Sequence, residues 1–179
     1  MTGGSGGLMR RSGSPPGAGI SVREATLADV DRVLPLLVAV AGEGRWIATE
    51  APVDLERRRQ RMVEDIEGAH AIILVAEADG ELVGELGLHL ARYGVADLGM
   101  LVAAGWRGRG VGTALLAEAV DRARKAGAHK IALQVWPHNA AAIALYERFG
   151  FEREGYLRRH YRRRSGELWD AIIMGLRLD

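Results

Sequence analysis

The stretch ADLGMLVAAGWRGRGVGTALL, residues 96–116, passes from one periodicity to another. Its first part, Ala96–Ala103, is a short apolar run of the length expected for a buried strand. Its last part opens a helix that carries Val111, Leu115, Ala119 and Ala123 four apart on one face and runs to about Ala126. Between the two lie Gly108, Gly110 and Gly112. A helix N-terminus exposes unpaired N–H groups and the positive end of the helix dipole, so it takes phosphate readily. Glycines without Cβ atoms let the backbone approach such a ligand closely. Arg107 and Arg109 add charged donors at the mouth. Two nucleotide signatures fail here. A P-loop needs Gly-Lys-Ser/Thr, and Val111-Gly112-Thr113 has no lysine. A dinucleotide fingerprint follows the first strand of a repeated βαβ unit with an acidic residue about 20 positions on. This loop follows the fourth strand and is spaced G-x-G-x-G. A glycine-rich turn with no ligand is the plain alternative.

Outward from this stretch, the elements order themselves. Ser21–Ala25 reads as a first strand, and Thr26 with Asp29 reads as a capping box. The helix that follows, to Val40, carries Val30, Val33, Leu34, Leu37 and Val38 at helical spacing. Residues 42–50 (GEGRWIATE) form an irregular loop, and a second helix runs from about Val53 to Glu67. Ala71–Ala78 and Glu81–Leu90 flank Asp79-Gly80, a two-residue hairpin turn. Beyond the glycine loop, Lys130–Trp136 is a fifth strand and Asn139 caps a short helix that Gly150 terminates. Residues 151–162 and 167–178 form a final antiparallel pair about Ser165-Gly166. The predicted architecture is α/β (α+β): about seven strands in a mixed, mostly antiparallel sheet, with about four helices.

Composition bounds the function. The 179 residues suffice for one domain, taken as 20–179, and residues 1–19, rich in Gly, Ser and Pro, are expected to be a disordered tail. No apolar run approaches a membrane span and no secretory h-region is evident, so no membrane partner and a cytoplasmic location are expected. With no cysteine there is no thiolate nucleophile or disulfide. No His/Asp/Glu cluster has metal-ligand spacing, so no metal is expected. A net charge of +1 gives no global field for nucleic acid.

The loop resembles the signature of the GCN5-related N-acetyltransferase family, Arg/Gln-x-x-Gly-x-Gly/Ala after the fourth strand, matched by Arg107, Gly110 and Gly112. A second family signature, Asn139-x-x-Ala142 leading to Leu145-Tyr146-x-x-x-Gly150-Phe151, stands at the usual separation. The resemblance implies a sheet splayed between strands four and five, with acetyl-coenzyme A as cofactor. Backbone N–H groups over Arg109, Gly110, Val111, Gly112 and Thr113, with Gly108 and Arg107, would hold its pyrophosphate. Met100, Leu101 and Val102 would pair with the pantetheine arm, an N–H near Leu101 or Val102 would polarise the thioester carbonyl, and Asn139 would reach the cofactor with its side chain. Tyr146 would protonate the departing thiolate, which is chemically sound because a phenol near pKa 10 and a thiol near 8.5 are well matched.

Some relatives that acetylate protein N-termini carry a glutamate base on the fifth strand; the corresponding residue here is Gln134, which cannot take a proton. Glu85 is the first alternative base, with Asp97, Glu43, Glu50, His138 and His160 as others. The implied activity is direct transfer of an acetyl group to a primary amine. An α-amine of pKa near 8 is about a tenth free base at pH 7, whereas a lysine is well under a thousandth, so a site without a strong base leans towards an α-amine or a small amine of lowered pKa. The C-terminal pattern, Phe151–Gly155, then Tyr161–Asp170 and Met174, resembles family members that acetylate free amino acids or similar small molecules. Trp46 and Glu50 are placed as substrate contacts. The run Arg158–Arg164 fits a carboxylate clamp, a homodimer surface or a solvated hairpin. A protein N-terminal or lysine acetyltransferase is the alternative within the class; a non-catalytic acyl-CoA-binding or nucleic-acid-binding module is the alternative outside it.

Overall fold

The computed structural model describes residues 19–91 and 93–178, so the tail expectation lies, apart from Gly19, outside the described residues. Seven strands form one sheet in the order β1-β2-β3-β4-β5-β7-β6: β1 Ser21–Glu24, β2 Ala71–Ala78, β3 Glu81–Leu90, β4 Val95–Val102, β5 Lys130–Val135, β6 Glu152–Arg162 and β7 Leu168–Arg177. Every neighbouring pair is antiparallel except β4 and β5. The mixed, mostly antiparallel sheet read from the sequence is therefore the observed one.

Helices cover both faces. On one lie α1 (Val30–Gly42) and α2 (Leu55–Glu67), whose Val30, Val33, Leu34 and Met62 pack on Ile73 and Val75. On the other lie α3 (Val111–Lys125) and α4 (Ala140–Arg148), whose apolar stripes, Leu115, Leu116 and Ala119 among them, close over Leu74, Leu86, Leu88, Ile131 and Met174. The Thr26–Asp29 box forms as predicted, but over a 3-10 turn, Leu27–Asp29, that precedes α1. Asp29 is buried and held by two N–H groups of Arg23 at 2.8 Å each, which keeps its carboxyl far below the usual carboxylate range. One expected core position fails: Val38 is 40% exposed. It lies one residue beyond Leu37, and a step of 100° per residue carries it past the edge of the buried stripe.

The decisive feature is a seam. Strands β4 and β5 pair only from Val95 to Asp97 and from Lys130 to Ala132. β4 continues to Val102 and β5 to Val135, so beyond Asp97 the two strands part and the implied splay is present.

Candidate active site

The glycine loop sits at the mouth of this seam. Gly108 and Gly110 have φ of 72° and 93°, left-handed values that favour glycine, and they turn the chain from the end of β4 into α3. Among the described residues no side chain caps the α3 N-terminus, so the first N–H groups, of Val111, Gly112 and Thr113, keep their anion-binding capacity. A Cβ built on Gly112 would lie 3.1 Å from Leu145 Cδ2 and 3.5 Å from Met100 Cε. The α3 start, α4 and the middle of β4 therefore converge on one point. Arg109 is exposed, stacks over Trp106 at 4.2 Å and has most of its N–H groups open to a ligand.

The backbone of β4 offers a hydrogen-bonding edge to the seam. Ala103 N–H donates to Val83 O at 2.9 Å, towards β3. Alternation along an antiparallel strand then turns Leu101 to the same side and faces Met100 and Val102 into the seam. Of the two N–H groups expected near the thioester carbonyl, that of Val102 faces the seam and that of Leu101 faces β3. Asn139 caps α4, its Oδ1 accepting from Ala142 N–H at 3.2 Å, which leaves its amide N–H groups for a ligand. Tyr146, on α4, is 6% exposed and packs against Phe151 with ring centres 5.5 Å apart. Burial pushes its hydroxyl up to about 12, so the phenol holds its proton throughout the working pH range.

The candidate bases fare unequally. Both Glu50 oxygens accept from the Arg164 N–H, at 3.2 and 3.0 Å, and Oε1 also lies 3.2 Å from Arg163 Nε. Glu50 thus anchors the turn between β6 and β7. Glu43 is ion-paired to Arg107. His138 Nε2 donates to Arg45 O at 2.9 Å, and His160 is exposed. Asp97 is exposed on the open face of β4. Of these candidates Glu85 alone is a buried carboxyl, with no salt-bridge partner among the described residues. Burial raises it to about 7, with Arg58 opposing and Asp65 adding to the rise. It pairs in register with Leu101, and next to it Gly87 pairs with Gly99. These two glycines share the α1/α2 face. A Cβ on Gly99 would touch nothing within 4 Å, while one on Gly87 would meet His89 Cε1 and Ile73 Cδ1 at 3.4 Å and Glu85 Oε1 at 3.8 Å. The space beside this stretch of β3 and β4 is therefore open over Gly99 and filled over Gly87, next to the buried Glu85 carboxyl.

An aromatic cluster closes the far end of the site; the sequence pattern holds its Tyr161 and Trp169 but does not bring them together with Trp136. Trp136 meets Tyr161 and Trp169 edge-on at 4.8 and 5.4 Å, and His138 meets Trp169 at 5.1 Å. Within it lies the Arg163 guanidinium, 4.4 Å over Trp169, donating to Ala48 O at 3.2 Å. Nothing local singles Arg163 out of five arginines; the ladder to β7, where Tyr161 faces Trp169, turns it inward. Gln134 Oε1 accepts from the Tyr161 hydroxyl at 2.8 Å, so the amide in place of a carboxylate is part of this wall.

Comparison with known proteins settles the family. A profile of the acetyltransferase (GNAT) family matches residues 43–151. The chain belongs to that family. It is 30% identical over 164 residues to the L-methionine sulfoximine/L-methionine sulfone acetyltransferase of Pseudomonas aeruginosa, covering 89% of this chain and 95% of that protein. Among solved structures, the ribosomal-protein-alanine N-acetyltransferase of Brucella melitensis superposes with a TM-score of 0.80 at 32% identity, over 88% of this chain and 99% of that one. An acetyltransferase of Salmonella typhimurium, solved with its cofactor acetyl-CoA, shares the fold with a TM-score of 0.78 at 23% identity, over 89% and 94% of the two chains.

Proposed function

We propose that this acetyltransferase moves an acetyl group from acetyl-CoA to the α-amine of a free amino acid or a similar small molecule. The observation that carries the reading is the uncapped glycine-rich start of α3 at the mouth of the β4–β5 seam. It fits the cofactor twice: N–H groups and Arg109 for a pyrophosphate, and the seam-facing N–H groups of Met100 and Val102, with the Met100 carbonyl, for an extended amide-bearing arm, the Val102 carbonyl being taken by Arg107. When bound, acetyl-CoA supplies an activated acetyl thioester and a thiol as leaving group. The chain's own residues manage the protons. Glu85, raised to about 7, takes the proton from the acceptor ammonium, directly or through a water on the open Gly99 side. Tyr146 holds a proton for the departing sulfur. Val102 N–H offers a donor to the carbonyl oxygen.

The small acceptor is supported by the activity of the Pseudomonas relative and by the walled far end of the site, where Trp136 and Trp169 lie against Arg163, Tyr161 packs on Trp136, and His138 stands between Trp169 and Trp46. The Brucella neighbour favours a protein N-terminus as the second reading, and Gln134 in the Trp136–Tyr161 wall speaks against it. Thiol release from acetyl-CoA, followed across L-methionine sulfone, L-methionine sulfoximine, the common amino acids, polyamines and an alanine-initiated peptide, tests both. Turnover of the sulfone or of free amino acids in preference to the peptide is expected. The reverse order would overturn the small-molecule reading.

A further inference from the structure

The two arginines of the glycine loop are not equivalent. Arg107 donates from Nε to Val102 O at 3.1 Å, and from Nη1 and Nη2 to the two Glu43 oxygens at 2.7 Å each. Three of its five N–H groups are committed to the protein. Glu43 also accepts from Trp46 Nε1 at 2.6 Å, and the Arg107 guanidinium lies 5.3 Å from the Trp46 ring centre. The next link is Arg45, whose guanidinium covers Trp46 at 4.8 Å and whose carbonyl takes the His138 N–H. A continuous belt therefore runs from Val102, the last residue of β4, through loop 43–46 to His138 just beyond β5. It crosses the seam on the acceptor side.

We propose that Arg107 is a positioning residue that fixes loop 43–50 across the seam, and that Arg109 supplies the side-chain charge for the pyrophosphate. This rests on the acetyl-CoA reading of the glycine loop and deepens it. A bidentate arginine–carboxylate pair is among the stronger and more directional contacts available to a side chain. Arg107 holds the Glu43 carboxyl below its usual range, so the pair stays charged at working pH. A pyrophosphate placed on Arg107 would lie beside that carboxylate and be repelled by it. Arg109 faces no carboxylate of its own among the described residues and only donates weakly to Gly105 O, at 3.4 Å. Loop 43–50 carries Trp46, a wall of the acceptor site, so loss of the belt loosens the acceptor's seat and leaves the cofactor's intact.

The test compares Arg107→Gln, Glu43→Gln, their double variant and Arg109→Gln in the full chain, each checked for folding by thermal melting. Calorimetry with acetyl-CoA reads the cofactor site. Hydrogen exchange over residues 43–50 without ligands reads the belt, and steady-state kinetics with L-methionine sulfone reads the acceptor site. Arg109→Gln is expected to weaken acetyl-CoA about tenfold, the loss of one charge-assisted contact. Arg107→Gln and Glu43→Gln are expected to leave that affinity within about twofold while speeding exchange in the loop. Each should raise acceptor KM about tenfold with little change in kcat, and the double variant should be no worse than either single one, as residues acting as a unit behave. Arg107→Lys, a point charge without the planar fork, should recover part of the loss. If Arg107→Gln weakens acetyl-CoA as Arg109→Gln does while Glu43→Gln does not, or if loop exchange is unchanged, the proposal is overturned. Failure of wild type to turn over L-methionine sulfone overturns only the choice of acceptor, since affinity and exchange still decide the role of Arg107. Failure to bind acetyl-CoA removes the reading on which both rest.

Discussion

Tyr146→Phe deletes a single oxygen from a ring packed between α4 and Phe151, and Phe fills the same space. Stability and acetyl-CoA affinity should hold, while kcat falls on the order of 100-fold, the scale of losing one acid catalyst. Single-turnover kinetics with a folded variant checks it, and a wild-type rate would remove Tyr146 from the chemistry. Gly112 poses a two-part question, because any side chain there brings a Cβ to 3.1 Å from Leu145 Cδ2. Gly112→Ala introduces only that crowding, and Gly112→Asp adds a negative charge at the helix start. Calorimetry should show a modest loss of acetyl-CoA affinity for Ala and no measurable binding for Asp. Equal losses would mean that packing, with no phosphate involved, explains the glycine. Both residues were legible in the sequence because motif spacing placed them. Glu85 was legible as a candidate only, since strand alternation names the face of a residue and not the depth of its carboxyl.

Elements were read more reliably than the contacts between them. Periodicity located all seven strands and four helices, since each buries a stripe of its own and the stripe is written locally. The seam carries no such local mark: β4 and β5 look like ordinary buried strands, and only the family resemblance implied their parting. The loop between α1 and α2 is the other case. Its Trp46 and Glu50 are expected as substrate contacts, and Glu50 is also bound to Arg163 and Arg164, more than a hundred positions along the chain. No local pattern encodes a partner so distant. Removing Glu50 should therefore act on the fold: Glu50→Ala leaves Arg163, 4% exposed on its side chain, without a counter-charge. The expected cost is about 3 kcal/mol, the lower end for breaking a buried ion pair. Denaturant unfolding checks this, and a loss confined to acceptor KM at full stability would make Glu50 a substrate residue after all.

For the molecule as a whole, two buried carboxyls pull stability in opposite directions with pH. Asp29 is lowered, so its contribution is present above its ordinary value of 3.8 and disappears as acid protonates it. Glu85 is raised from 4.5 to about 7, so the native state favours its protonated form; that advantage is full below 4.5 and is lost as pH rises through 7. At about 1.4 kcal/mol for each tenfold, the loss is on the order of 3 kcal/mol. Glu85→Gln should accordingly be more stable than wild type at pH 8 and close to it at pH 4, by thermal melting. Its kcat/KM should also lack the limb near pH 7 that Glu85 ionisation gives the wild type, keeping the limb from the amine itself. The seam has a consequence of a different kind. Three rungs join the half-sheet β1–β4 to the half-sheet β5–β7, so backbone that an unbroken sheet would pair in its middle is left short of partners there. An extended ligand that fills this place acts as a missing strand and knits the halves together. At a hundred times its dissociation constant such a ligand adds about 2.7 kcal/mol to stability. Metabolic supply of acetyl-CoA would then set how much of this enzyme survives folded, as well as how fast it works.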